Sequence, residues 1–365
     1  MIKDKINSIQ ILRGLAVLSV VLFHFRVYLV PDDADRSIPD KIFGWGAIGV
    51  DLFFVISGFI MVYVTCNKPA GLKTSLQFIV NRLTRILPTY YIILLFAFLT
   101  SGAMSIFHYP DKLANLISAF TFQPYLSQPA PLYIADSGMY NIRWTLNYEL
   151  YFYLAFAVCL LIKPRLLALT IWFIAPVLIT FSLTSTFTLS TEGYNFNSVI
   201  SRFLTNPILL EFGLGVLAGH TYFYLKKREI NFSRYLPFLC LTIIAIAISL
   251  SYLKPYSVFS AVAFFFLVLF YALQNRCILK YTPQFLVTLG DMSFSLYLVH
   301  NPLAGFITSK VEKMHPGAMH TLPGYFSLLI ASLVLAALSH KYLEIKLTDK
   351  IRSLTRKRVS PGQPV

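Results

Sequence analysis

The chain is 365 residues long, 56% hydrophobic and 13% charged, with a formal net charge of +15 and a mean hydropathy of +0.66. A chain of this length with so little polar sequence cannot cover itself in water, which excludes a soluble globular domain. In lipid only helices and closed barrels satisfy the backbone, and the long apolar runs lack a barrel's alternation, so the fold class is all-α and polytopic.

Taken in chain order, spans are predicted near 8–29, 44–65, 86–101, 144–162, 165–186, 203–223, 235–253, 256–274, 284–308 and 322–343, about ten transmembrane helices. The first carries Arg13 and His24 and is followed by acidic residues rather than a small-residue cleavage site, so it is expected to persist as a span and not as a signal peptide. The third is short and opens at Pro88. The apolar run Leu113–Phe122 is too short to cross and is expected to lie on the interface or re-enter. No fixed-period repeat divides the chain, which reads as one integral-membrane domain, 1–345, with a basic tail, 346–365. No outward pair of cysteines is expected, and hence no disulfide.

The charges orient the spans. With the N-terminus inside, Lys3, Lys5, Arg13, Lys68, Lys73, Arg82, Arg85, Lys163, Arg165, Lys226, Lys227, Arg228 and the C-terminal tail all fall on the cytoplasmic side, and the C-terminus is also inside. The positive charge is then a topology signal and not a nucleic-acid footprint. The segment Arg352 to Arg358 is expected to lie against anionic lipid.

An ionisable group in the hydrocarbon costs about 2.5–3.5 kcal/mol on insertion scales, so such groups mark function or pairing. Arg13 stands near the inner end of the first span, and His24, eleven residues on, stands roughly 16 Å further out at the helical rise. Asp51, Glu149 and His300 share that outer half, with Glu211 nearer the middle. Arg82 and Arg85, three apart on one helical face, gather with Arg13 at the inner face. Two linked subsites are expected: a basic one open to the cytoplasm and a histidine and carboxylate cluster deeper in. Asp51 is expected to be paired, with His24 as a candidate partner. Ser57–Gly58 reads as a close helix contact rather than a nucleophile. Trp144 and the tyrosines of Tyr148–Tyr153 suit an interface, while Glu211 and His340–Glu344 read as structural.

Five motifs in order make the chain similar to the membrane-bound acyltransferase 3 family, which includes O-acetylases of bacterial O-antigens, exopolysaccharides and Nod factors. They are Ile11-Leu-Arg13-Gly14 with His24 ten spacers after the arginine, and Gly49-Val-Asp51-Leu-Phe-Phe-Val-Ile-Ser57-Gly58-Phe59. Then come Asn81-Arg82-Leu-Thr-Arg85-Ile-Leu-Pro88, Trp144-Thr-Leu-Asn-Tyr-Glu149-Leu-Tyr-Phe-Tyr153, and Leu289-Gly-Asp-Met-Ser293-Phe-Ser295-Leu-Tyr297-Leu-Val-His300. The resemblance covers nearly the whole chain. It departs at Asn147–Tyr148, where the family often has a small residue, and it is most like the stand-alone exopolysaccharide acetylase type.

The resemblance implies an O-acetyltransferase of the bacterial inner membrane. It implies an acyl group, most often acetyl, taken from cytoplasmic acyl-CoA to a sugar hydroxyl of a surface polysaccharide or its lipid-linked precursor. Arg13, Arg82 and Arg85 would hold the CoA phosphates, whose planar charge suits bidentate guanidinium contacts. His24 would act as general base or as nucleophile, the base being favoured, with Asp51 or Glu149 orienting its ring. Trp144 and His300 are candidates for the acceptor site. No resident cofactor and no metal are expected beyond acyl-CoA as a substrate. The rival from another class is a glycolipid transporter, since intramembrane charges also mark transport paths; against it stands the lack of repeated halves.

Overall fold

The computed structural model describes residues 5–31, 34–101, 103–136 and 139–359. Among them there is no strand, and the one β-bridge joins Ser190 to Ser257. Lys3 and the end of the expected basic tail, 360–365, lie outside the described residues.

In chain order the helices are α1 Asn7–Phe25, α2 Ser37–Phe43, α3 Gly49–Thr65, α4 Leu72–Thr100, α5 Ala103–Ile106, α6 Pro110–Thr121, α7 Trp144–Cys159, α8 Arg165–Thr184 and α9 Val199–Leu204. They continue with α10 Leu209–Lys227, α11 Leu236–Ser249, α12 Val258–Leu273, α13 Asn275–Tyr281, α14 Gln284–Asp291, α15 Ser293–Met314 and α16 Leu322–Ser339. A π-helical turn, His340–Leu347, then joins α16 to α17, Thr348–Val359. Among the described residues six helical segments are long and apolar enough to cross a membrane, or seven if α12 and α13, which meet at a bend of 85°, count as one. Three of the ten expected spans fall short for visible reasons. Helices α7 and α11 have 16 and 14 residues. Helix α15 is interrupted by polar positions such as His300 and Asn301.

Helix α1 is the centre of the bundle, packed against α3, α12, α14 and α15. Its buried residues, among them Ile9, Leu12, Val17, Val20, Val21 and Phe25, run round the whole cylinder rather than along one stripe, the pattern of a helix enclosed by others. Lipid tails are as apolar as leucine, so helices in a membrane gain from close packing more than from hydrophobicity. The α3–α10 contact shows how. A Cβ on Gly58 would stand 2.2 Å from the carbonyl oxygen of Phe212, and one on Gly215 would stand 2.0 Å from that of Val55. The two backbones touch, and no other residue fits at either position.

Helix α4 differs from the short third span expected to open at Pro88. It runs unbroken from Leu72 to Thr100 with Pro88 inside it. Proline at 88 lacks the N–H that would bond the carbonyl of Thr84, four residues earlier. That carbonyl accepts the Thr348 hydroxyl at 3.4 Å instead. A neighbouring hydroxyl thus satisfies the freed group, as membrane helices with internal proline require. The consequence for the site is that Arg82 and Arg85 sit on the body of a long helix and not on a loop before it. The apolar run 113–122 forms most of α6, twelve residues long.

Candidate active site

The three arginines converge. Arg13 from α1 and Arg82 and Arg85 from α4 line one cavity of about 90 Å³ with Ser57 of α3, Glu149 and Tyr153 of α7, and Tyr297 of α15. A second and larger cavity, about 870 Å³, has Lys5, Lys68, Tyr63 and Glu344 on its walls, and it shares Arg13 and Arg85 with the first. Arg13 and Arg85, with Ile60, thus line both a wide vestibule and a narrow chamber.

Each arginine is held differently. Arg13 donates to Gln10 Oε1 at 3.0 Å, one helical turn back. Arg82 lies over the rings of Phe78 and Tyr153, at 5.5 and 5.4 Å from their centroids. Arg85 pairs with Glu344 at 3.1 Å, and the other oxygen of that carboxylate accepts from Ser295 Oγ at 3.2 Å and meets His340 Nδ1 at 2.9 Å. The stacking of Arg82 suits a planar guanidinium. Glu344, expected to be structural, is thus the acidic partner in a basic wall. The sequence does carry a signal for it, an acid between Lys341 and Lys346. What it lacks is the π-helical turn that brings residue 344 to α4.

Glu149 does not reach His24. Its Oε1 accepts the hydroxyl proton of Tyr153, one turn on, and both face the arginine chamber. Asp51 does not pair with His24 either. Its Oδ1 accepts the N–H of Ser257 at 2.7 Å and its Oδ2 that of Tyr256 at 3.0 Å. Asp51 thus ties down the turn that opens α12, where Tyr256 has a left-handed φ of 57°. Both carboxylate oxygens are engaged by backbone N–H groups of this half-buried turn, which need an acceptor that their own helix does not supply. Trp144 is an inward-packed ring, 6% exposed, against Phe54, Tyr148 and Tyr256. Glu211 of α10 is fully buried and lies beside Asp51.

The structure joins two residues to which the sequence assigned separate roles. His24 Nδ1 lies 3.2 Å from His300 Nε2, with ring centroids 5.0 Å apart. His24 Nδ1 is also 2.9 Å from the carbonyl oxygen of Val20, and His300 Nδ1 is 3.1 Å from that of Leu296. His300 is completely buried, with both ring nitrogens engaged. His24 is partly exposed, and nothing among the described residues bonds its Nε2. Next to the pair, the Tyr297 ring stands 5.8 Å from that of His300 and also lines the arginine chamber. Tyr297 is fixed there, accepting from Thr145 Oγ1 at 2.8 Å and donating to the Ile142 carbonyl at 2.9 Å. Among the described residues no group of His, Cys, Asp and Glu side chains is arranged to hold a metal ion.

Three guanidiniums toward one end of a central helix and an imidazole with a free nitrogen near its other end are parts suited to moving an acyl group from a phosphate-bearing carrier. The sequence profile of the acyltransferase domain of the acyltransferase 3 type matches residues 6–341. The chain belongs to the acyltransferase 3 family. Among its relatives is the exopolysaccharide production protein ExoZ of Rhizobium meliloti, 30% identical over 192 residues, which are 50% of this chain and 52% of ExoZ. Another is the peptidoglycan O-acetyltransferase OatA of Listeria monocytogenes, 30% identical over 119 residues, 30% of this chain and 15% of OatA. The matched part of the chain thus spans about half the length of the first relative and a smaller part of the second. No solved structure matches the chain. The match places the family's acyltransferase domain over nearly the whole chain, and the apolar helices are those of a multi-pass membrane protein.

Proposed function

We propose that this protein is an O-acetyltransferase of the bacterial inner membrane, which takes acetyl from cytoplasmic acetyl-CoA and delivers it to a sugar hydroxyl of an exopolysaccharide, an O-antigen or a lipid-linked precursor. The observation that carries this reading is the common wall of two cavities, where Arg13 and Arg85 line both a vestibule and a chamber, and where Tyr297 of the chamber packs against His300 of the histidine pair. The chain is N-in and C-in, so the vestibule opens to the cytoplasm. The family profile and the names of the relatives support acyl transfer to a surface polymer.

In this reading Arg13, Arg82 and Arg85 bind the phosphates of CoA, and the vestibule holds its nucleotide end. The acyl end reaches through the chamber toward His24. His24 Nε2 takes the proton of the acceptor hydroxyl while that oxygen bonds to the thioester carbonyl carbon. The C–S bond then breaks with its electron pair on sulfur, and the imidazolium returns the proton to the thiolate. Atoms and charge balance: ester and free CoA thiol leave, and the enzyme is unchanged. The membrane domain covers 1–345, with 346–365 as a basic cytoplasmic extension. Asp51 supports the chamber from its outer side, and Trp144 backs the turn it clamps.

The test is analysis of surface polysaccharide by mass spectrometry and NMR in a deletion strain complemented with wild type or with His24→Ala. An O-acetyl group restored only by wild type supports the reading and names the sugar and the hydroxyl. Unchanged acylation with altered polymer export would replace it with glycolipid transport.

A further inference from the structure

The hydrogen-bond pattern at the two histidines is directional. The carbonyl oxygens of Val20 and Leu296 can only accept, so the nitrogens facing them, His24 Nδ1 and His300 Nδ1, carry hydrogens. With its proton on Nδ1, a neutral His300 presents a lone pair on Nε2. That lone pair points at His24 Nδ1, 3.2 Å away. The His24 Nδ1–H is therefore shared between a backbone carbonyl and a buried imidazole. In a neutral His24 the second nitrogen, Nε2, is left as the bare base.

From this geometry we infer that His300 is a positioning residue: with the Val20 carbonyl it holds the proton of His24 on Nδ1, and by accepting that shared proton it turns the ring so that Nε2 faces the acceptor. This rests on the proposal that His24 is the reactive base. It differs from the template of the serine proteases, in which a carboxylate orients the histidine. The two carboxylates to which the resemblance assigned that role are committed elsewhere, Asp51 to the Tyr256–Ser257 turn and Glu149 to Tyr153. His300 is itself held, since its Nδ1 is tied to its own helix and its ring packs against Phe25 and Tyr297. A neutral, buried and fully bonded partner has no free atom for a substrate. It can set the tautomer, because which nitrogen of a histidine is protonated follows from the bond that the other makes.

The two amide replacements separate the roles. A glutamine carbonyl reaches the place of Nε2 and can accept from His24 Nδ1–H, whereas asparagine reaches only the place of Nδ1. In purified protein in lipid nanodiscs, kcat for acetyl transfer should fall about 100-fold in His300→Asn, the scale at which a lost orienting partner is felt. The KM for acetyl-CoA should stay within about twofold, because the arginines are untouched. His300→Gln should recover most of the lost kcat. In 15N spectra of histidine-labelled protein, His24 Nε2 should be the unprotonated nitrogen in wild type, and in His300→Asn, where only the Val20 carbonyl still accepts from Nδ1, the two tautomers should mix. A protonated His24 Nε2 in wild type at neutral pH overturns the inference whether or not either variant folds. So does a wild-type kcat in His300→Asn when His24→Ala is inactive. Full activity of His24→Ala instead removes the underlying reading of His24 as the base, while the 15N spectrum still decides the tautomer.

Discussion

The arginine and histidine halves of this site are built on opposite principles. At the arginine end, three guanidiniums from α1 and α4 are gathered round open space and are only partly matched, by Glu344, by Glu149 in the same chamber, by Gln10 and by the faces of Phe78 and Tyr153. At the histidine end both ring nitrogens of His300 and both oxygens of Asp51 are taken up by protein. Surplus positive charge beside a cavity is a site waiting for an anion. Closed bonding around one free nitrogen is a site that has to hold a reacting atom still. Affinity and chemistry can therefore be separated along a single helix, because α1 carries Arg13 in one half and His24 in the other.

That separation can be broken in order of effect. Replacing His24 by Ala should lower acetyl transfer by about 10²–10⁴-fold, the usual worth of a positioned base, with acetyl-CoA binding retained by calorimetry. Next, Arg82→Ala or Arg85→Ala should weaken acetyl-CoA binding by about 10–100-fold, since a charge-assisted hydrogen bond is worth roughly 1.5–3 kcal/mol, with a smaller effect on the rate at saturation. An equal loss of binding in His24→Ala and Arg85→Ala would show that the two halves are one. Asp51→Ala should act on the fold rather than on either substrate. It strands the buried N–H groups of Tyr256 and Ser257, at about 1–3 kcal/mol each, and should lower the Tm in detergent while leaving acetyl-CoA affinity unchanged. Smallest of all, Arg13→Lys should keep activity within about tenfold, because a point charge still attracts phosphate though the forked geometry is lost. A complete loss with normal expression would assign Arg13 a geometric role as well as an electrostatic one.

Much of the arginine site is legible in the amino-acid order. Arg82 and Arg85 share a face because three residues is close to one helical turn, and that rule is local. Gly58 as a contact residue is equally readable, since small residues in an apolar run mark places where helices touch, and it meets the backbone of Phe212. The partners of Asp51 and Glu149 are not. A carboxylate in lipid announces that it needs a partner, but not which one, and the turn at Tyr256–Ser257 is some two hundred residues away in the chain. Glu344 is hidden for a related reason. Its meaning depends on a π-helical turn that rotates it onto α4, and no periodicity in His340–Leu347 signals that extra residue per turn.

Hydropathy, backbone satisfaction and ordered motifs all act within short stretches, which is why an all-helical membrane protein of the acyltransferase 3 family can be read from the chain without its partners in space. The passage of α4 through Pro88, with Thr348 capping the freed carbonyl, and the answer of Arg85 to Glu344 come from the packed bundle. So does the imidazole, in place of a carboxylate, at the side of His24. Those outcomes are pairings between distant helices, and in a medium without water each buried donor or acceptor takes whichever partner the packing of the bundle brings within reach.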